Sequence, residues 1–311
     1  MVIDVLGRVW PFFLLVGAGL ALSRLRLLDA AQTRGLSAYV YWVGFPALLI
    51  HSLSRLGRPE PALLLGLLTY ALIGLAVMAA VVAAGRPLGW SKAERAGAGM
   101  AAGVGNSAFL ALPITAAVLG AETARLVAGV VAADFVVMAA AGVGLLGWAA
   151  GRSVGRSISQ AFRNPVVAAA LAGLAMGLLD LALPEPLDRA LGMAAASGSP
   201  VGLVALGAAL GLRETEGETA PALAPILLAA LAKLIVFPLL VWIGVGLTPA
   251  PAAFRAGATL LAAAPTAVNV FIQTRAYGVW PRGAARAVAV TTAAAAVTLA
   301  AIALLLRQPP V

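Results

Sequence analysis

The 311-residue sequence has no cysteine, a single histidine and few charged residues. Without cysteine the chain can form no disulfide, no thiolate metal site and no cysteine nucleophile. Charged residues make up only 11% of the chain, whereas a soluble domain carries about 25% to cover its surface. The histidine, His51, lies at the end of an apolar stretch, where an interfacial position is expected rather than a proton relay. We therefore expect no enzyme, no metal site and no cofactor.

Apolar sequence takes the place of these residues, since 62% of the chain is hydrophobic and the mean hydropathy is +1.01. The charges fall in short clusters, and the stretches between them approach or exceed the roughly 20 residues that a helix needs to cross a bilayer. An open sheet cannot satisfy its backbone in lipid, so these stretches are expected to be helices. The sequence predicts an all-α polytopic membrane protein with ten transmembrane helices. The predicted spans, one to ten in chain order, are Ile3–Leu22, Gly35–Leu53, Pro61–Gly85, Ala96–Gly120, Thr123–Ala150, Asn164–Leu183, Pro186–Leu212, Ala220–Leu247, Phe254–Tyr277 and Ala284–Leu306.

Lys and Arg are distributed unevenly between the two sides of this arrangement. The odd-numbered connections hold 13 of them and the opposite side holds 7, while Lys233 lies inside a span. Cytoplasmic loops of membrane proteins are enriched in Lys and Arg. The count predicts a bacterial inner-membrane protein with cytoplasmic odd-numbered connections and both termini outside. Basic loops also account for the net charge of +9, so the lipid bilayer and not nucleic acid is the expected partner.

Spans four and nine share an interruption by proline and polar residues. Span four carries GNSAFLALP at Gly105–Pro113, and span nine carries APTAVN at Ala264–Asn269. The two spans are five apart, so they would cross the membrane in opposite directions. Interrupted helices at corresponding positions of two inverted halves are typical of the midplane binding site of a secondary transporter.

The interruptions predict a site for an anion. Proline lacks an amide hydrogen, so we expect span four to break just before Pro113 and to restart as a half-helix there. The amide end of a half-helix attracts anions, and nearby polar side chains add hydrogen bonds. The alternative is a packing kink, because proline is common in membrane helices. The candidate substrate-binding residues are Asn106, Ser107, Pro113, Pro265, Thr266 and Asn269.

Two charged residues lie deep within predicted spans, Asp134 in span five and Lys233 in span eight. A charge at the bilayer centre costs at least about 2.5 kcal/mol, so such residues usually face a cavity or a partner. Asp134 and Lys233 could form an ion pair, or Asp134 could titrate and couple proton movement to transport. Lys233 could instead contact a carbonyl group of a broken helix.

The two interrupted stretches resemble those of the auxin efflux carrier family, in particular its bacterial malate and malonate permeases. The segment Gly105–Ile114 is similar to the family's crossover in the fourth helix, and Ala264–Phe271 is similar to its counterpart in the ninth. Asn164-Pro165 at the start of span six and Lys233 in span eight also fit the family pattern.

The resemblance implies two inverted five-helix repeats, 1–150 and 164–311, joined by a short linker at 151–163. It implies a scaffold of spans one, two, six and seven, often dimeric, and a transport domain of spans three to five and eight to ten. By the same resemblance Asn106 and Pro113 would hold a carboxylate. Plant members have a proline where this sequence has Val270, and many have a long cytoplasmic loop where the linker is short. A small organic anion is therefore expected rather than auxin.

The main functional hypothesis is a secondary carrier for a small organic anion, driven by protons through Asp134 or by the membrane potential. The alternatives are a sodium-coupled symporter of the bile-acid type, a proton antiporter of the same general fold and, more remotely, a membrane sensor. A multi-carboxylate sodium site is disfavoured because Asp134 is the one deep acid in the predicted spans.

Overall fold

The computed structural model describes residues 2–55, 57, 61–152, 163–212 and 222–306. Within these ranges the regular structure is helical, apart from one isolated pairing of extended backbone between Gly105 and Thr266. The α-helices are α1 Val2–Arg24, α2 Ala30–Tyr39, α3 Phe45–Leu53, α4 Pro61–Ala84, α5 Lys92–Gly103, α6 Leu112–Leu119, α7 Ala121–Leu126, α8 Ala128–Ala133, α9 Ala139–Ala149, α10 Pro165–Leu178, α11 Glu185–Gly211, α12 Leu223–Leu231, α13 Phe237–Gly246, α14 Ala252–Ala262, α15 Val268–Tyr277 and α16 Pro281–Leu306. Four π turns join some of them, at Val40–Gly44, Ser107–Ala111, Asp134–Met138 and Ala232–Val236.

Six continuous helical segments in the described part of the chain are long and apolar enough to cross a membrane. This confirms the prediction of an all-helical polytopic membrane protein, while ten spans in two inverted repeats stay a prediction. The six segments are Ala30–Leu53, Leu63–Ala84, Ala121–Ala149, Glu185–Gly211, Leu223–Gly246 and Pro281–Leu306.

Predicted span four breaks earlier than Pro113, so the position given to this break was wrong. Helix α5 ends at Gly103, the chain is extended through Val104–Asn106, and the π turn Ser107–Ala111 leads directly into α6. Pro113 lies in the first turn of α6. In a π turn the amides bond five residues back, as Leu112 does to Ser107. The wider turn moves the carbonyl groups away from the proline ring, and the helix continues without a break.

A π turn followed by a proline at the start of the next α-helix occurs in two other segments of the protein. Pro46 follows the π turn Val40–Gly44, and Pro238 follows the π turn Ala232–Val236, in each case at the start of the next α-helix. The fourth π turn, Asp134–Met138, contains no proline and begins at the buried acid. π turns inside α-helices are frequent at functional sites. Both deep charges, Asp134 and Lys233, lie in one.

The helices pack in two groups. In the first group, α1 and α3 pack on α11, and α10 packs on α3. In the second group, α4, α5 and α9 pack with α12, α13, α14 and α16. Small residues allow close approach within the first group. A Cβ atom on Gly19 of α1 would lie 2.1 Å from the carbonyl oxygen of Val204, and one on Gly207 of α11 would lie 1.9 Å from that of Val16. Such glycine contacts hold helices together where lipid supplies no hydrophobic driving force.

His51 lies in the last turn of α3, in the first helix group. Its Nδ1 atom is 3.1 Å from Oδ1 of Asp188 at the start of α11, and Arg55 contacts both side chains. The histidine therefore joins two helix ends by polar contacts.

The α1–α11 contact predicts that alanine destabilises the protein at Gly19 of α1 but not at Gly17 of the same helix. Gly19→Ala should lower the free energy of unfolding by about 1–3 kcal/mol, because the methyl group meets backbone that cannot move aside. Gly17→Ala is the matched control, since a Cβ there has nothing within 4 Å. Thermal unfolding of the purified variants in detergent measures both effects. Equal melting temperatures for the two variants would contradict the close helix contact.

Candidate anion site at the helix crossover

Two extended segments, Val104–Asn106 and Ala263–Ala267, cross each other in the interior of the second helix group. The amide of Asn106 donates to the carbonyl oxygen of Pro265 at 2.7 Å, and the amide of Ala267 donates to that of Val104 at 3.0 Å. Helix breaks at membrane depth leave backbone groups that lipid cannot satisfy. Each broken helix here satisfies groups of the other, so the two breaks depend on one another.

Four helix ends meet at this crossover. Helices α5 and α14 arrive with their carboxyl ends at Gly103 and Ala262, while the π turn before α6 and helix α15 depart with their amide ends at Ser107 and Val268. Carboxyl ends carry partial negative charge and amide ends carry partial positive charge. What each end contacts therefore decides the sign of the field at the site.

Side chains of the protein neutralise the two carboxyl ends. Lys233 donates from Nζ to the carbonyl oxygen of Ala262 at 2.7 Å, and the Thr266 hydroxyl donates to that of Ala101 at 2.8 Å. Lys233 is held tightly there, because a Cβ on Gly105 would lie 2.8 Å from Nζ and the ammonium lies 4.6 Å from the centre of the Phe237 ring.

The two amide ends have no such partner. The first amides of a helix cannot bond within it, and those of Ser107, Ala108, Val268 and Asn269 donate to no other group in the described residues. The crossover therefore has two open amide ends with partial positive charge, while side chains compensate the partial negative charge of the two carboxyl ends. This arrangement favours an anion.

A buried polar side chain at the same place is also unpaired. Both amide atoms of Asn269 are buried without a hydrogen-bond partner in the described part of the chain, while the buried hydroxyl of Ser107 interacts with the Asp134 carboxylate. Asn269 is 2% exposed and Asn106 is 7% exposed. Buried polar groups are almost always hydrogen-bonded, and an unpaired one destabilises a protein by about 1–3 kcal/mol. The unpaired side chain of Asn269, next to the open amide end of α15, points to a ligand at this place.

Asp134 and Lys233 lie near the crossover but form no direct ion pair within the described residues. Asp134 accepts a hydrogen bond from the Tyr70 hydroxyl at Oδ1, at 2.9 Å, and Lys233 is committed to Ala262. The two charges still act on each other electrostatically. The geometry therefore does not favour a direct ion pair between Asp134 and Lys233. The other hypothesis, a carbonyl contact for Lys233, agrees with the geometry.

The structure brings together five of the six candidate substrate-binding residues. Asn106, Ser107 and Asn269 contribute the polar groups just described, whereas Pro265 and Thr266 contribute backbone and hydroxyl contacts that hold the crossover. Pro113 lies further along α6 and is partly exposed. It shapes the half-helix without reaching the amide ends.

Comparison with known proteins identifies the family of this chain. The model of a family described as "Membrane transport protein" matches residues 4–303. The chain belongs to the auxin efflux carrier family. A curated relative from Rhizobium meliloti (strain 1021), named "Putative malonate transporter", is 30% identical over 316 residues, which cover 98% of this chain and 97% of the relative. Membership of the auxin efflux carrier family confirms the resemblance seen in the sequence.

Sequence reasoning missed two residues that position the site in this member of the auxin efflux carrier family. Tyr70 holds Asp134 from α4, and Thr291 of α16 accepts a hydrogen bond from the amide of Thr266 at 3.1 Å. Tyr70 carried no signal in the sequence, because its full burial and its partner are known only from the structure. Thr291 carried no signal, because its partner is a backbone group more than twenty residues away.

Thr291 and its neighbour Thr292 provide a matched test of the crossover contacts. Thr291→Val should lower the free energy of unfolding by about 1–3 kcal/mol, since it leaves the buried Thr266 amide without an acceptor. Thr292→Val should have little effect, because the Thr292 hydroxyl makes no hydrogen bond within the described residues. Thermal unfolding in detergent compares the two. A larger loss for Thr292→Val would contradict the assigned role of Thr291.

Proposed function

We propose that this protein is a secondary transporter that carries a small organic anion, with a carboxylate bound at the crossover. The observation that carries the proposal is the pair of open amide ends beside the unpaired Asn269 side chain. Membership of a membrane transport family and a relative whose name refers to malonate support it.

The donors at the crossover match the chemistry of a carboxylate. Backbone amides of two half-helices converge with the side-chain amides of Asn106 and Asn269, so each carboxylate oxygen can accept more than one hydrogen bond. Hydrogen bonds to a charged acceptor are stronger than those between neutral groups. In this proposal Lys233 acts indirectly, because it neutralises the carboxyl end of α14 and leaves the positive ends in excess.

Burial of the site requires movement of the protein during transport. Asn269 and Ser107 are almost inaccessible in this structure, so a substrate reaches them only when the second helix group shifts against the first. We propose that the first group is the scaffold and the second the transport domain, within ten spans built as two inverted five-helix repeats, 1–150 and 164–311. The same proposal places the protein in a bacterial inner membrane with both termini outside, and dimerisation through the scaffold stays a prediction.

Asp134 supports proton coupling as one form of this function. Its Oδ1 atom is held by Tyr70, while Oδ2 is buried and can take up a proton without disturbing that contact. Groups of three or more acidic or histidine side chains that could hold a metal ion are absent from the described residues. Sodium coupling would have to use other oxygen atoms, and replacing sodium in the transport assay tests it.

The proposal predicts that Asn269→Leu abolishes transport without loss of stability. Leucine has a similar volume and removes an unpaired amide, so the melting temperature should stay the same or rise while uptake of radiolabelled malonate into proteoliposomes disappears. Asn164→Leu is the control for a structural asparagine. Its side chain caps α10 through the amide of Val166 at 2.9 Å, and its loss should lower stability by about 0.5–2 kcal/mol. Normal malonate, malate and acetate uptake by Asn269→Leu would contradict the assigned site.

A second prediction concerns the driving force. If Asp134 carries the coupled proton, an imposed pH gradient should drive malonate accumulation in wild-type proteoliposomes, and Asp134→Asn should lose the response to the gradient. Counterflow of malonate without any gradient should persist in that variant, because asparagine can still accept the Tyr70 hydrogen bond. A wild-type flux that ignores the pH gradient would assign Asp134 a structural role and leave the membrane potential as the driving force.

A further inference from the structure

A cavity opens between α2 and the end of α15 that lies away from the crossover. Its volume is about 450 Å³, and its walls come from α2, the π turn after it, the chain after α9 and the last turns of α15. Three arginines line it, Arg34, Arg152 and Arg275, and we call this cavity the arginine vestibule. The described lining residues include no acid.

The charges of the vestibule are close together and only partly compensated. Arg34 and Arg275 are near enough to repel each other, and neither has an acidic partner among the described residues. Arg152 lies with its guanidinium 5.3 Å from the centre of the Tyr277 ring, and Arg275 lies 5.7 Å from that of Phe271. The aromatic face of Phe271 orients the guanidinium group of Arg275 without neutralising its charge. A small cavity with several such groups attracts anions and can bind a carboxylate in bidentate geometry.

Helix α15 extends from the crossover to the vestibule. Arg275 and Asn269 are six residues apart on this helix, which corresponds to roughly 9 Å along its axis. Gln273 lies between them and is fully buried, and its Nε2 donor is unpaired while its Oε1 accepts from Asn164 at 2.8 Å. Gln273 is two residues from Arg275 and therefore faces away from the vestibule, toward the start of α10.

We propose that the arginine vestibule is a separate binding site for small dicarboxylates, which captures the substrate on this face of the protein before it reaches the crossover. The proposal rests on the proposed function for its transport role, whereas binding in the vestibule is a property of its own. Since α2 packs on α11 of the first helix group and α15 packs on α16 of the second, an anion bound there also bridges the two groups.

Basic residues on this face have an alternative explanation, because Lys and Arg orient membrane proteins through their charge alone. That role depends on charge and not on position within a cavity. Arg86 provides the matched control, since it lies in another odd-numbered connection, is exposed and does not line the vestibule. Replacing Arg86 by Gln removes the same charge from the chain as replacing Arg275.

The test is equilibrium binding of radiolabelled malonate to purified protein in detergent at low ionic strength. Wild type should bind at two sites and Asn269→Leu at one. Adding Arg275→Gln to Asn269→Leu should weaken the remaining site by at least about tenfold, whereas adding Arg86→Gln should leave it unchanged. If Arg275→Gln does not fold, Arg34→Gln and Arg275→Lys replace it, and both should weaken the site, because lysine keeps the charge but loses the bidentate geometry.

Each outcome separates the two proposals. Absence of malonate binding in Asn269→Leu, or equal weakening by Arg275→Gln and Arg86→Gln, would overturn the vestibule. Wild-type binding that is lost in Arg275→Gln but unaffected by Asn269→Leu would support the vestibule and contradict the crossover site. In proteoliposomes the vestibule further predicts a raised KM for malonate with little change in maximal rate for Arg34→Gln.

Discussion

The backbone pairing at the crossover is the contact on which the rest of the site depends. Two helices are broken within an apolar protein, and their extended segments satisfy each other through the bonds from Asn106 to Pro265 and from Ala267 to Val104. Either break alone would leave backbone groups unpaired in the membrane interior. The close approach of Gly105 to Lys233 follows from the same pairing, since a side chain at this position would displace the ammonium group.

This pairing also determines the sign of the electrostatic field at the site. Four helix ends meet with opposing partial charges, and the field would largely cancel if all four were treated alike. Lys233 and Thr266 neutralise the two carboxyl ends, so the amide ends remain in excess. The buried lysine thus contributes to anion binding through a carbonyl group and without touching the substrate. The nearby Asp134 limits the excess positive charge, which gives its protonation state a direct influence on the affinity for an anion.

The sequence was sufficient for those features that depend on local chemistry. Long apolar stretches predicted the helices, and the polar interruptions at Asn106 and Asn269 predicted where the crossover lies, because uninterrupted helices have no use for such residues in lipid. The position of the break was misjudged because proline was given more weight than glycine. The structure shows that a π turn accommodates Pro113, while the break follows Gly103.

Features that depend on distant contacts could not be predicted in this way. Tyr70 and Thr291 act through partners on other helices, and nothing in their own neighbourhood distinguishes them from packing residues. The arginines of the vestibule were counted with the basic connections, but a count by side contains no information on which of them share a cavity. Lys233 was recognised as unusual, yet the choice between Asp134 and a helix carbonyl required the tertiary structure.

The central claim is that the open amide ends of the crossover bind a carboxylate. The most direct measurement is a cryo-electron microscopy structure of the protein in lipid nanodiscs with malonate, using a bound antibody fragment to aid alignment. The account predicts density for malonate in contact with the side chains of Asn106 and Asn269 and with the amides of Ser107 and Val268. A malonate-saturated structure in which the two asparagines bond only to each other or to water, with malonate elsewhere, would contradict it.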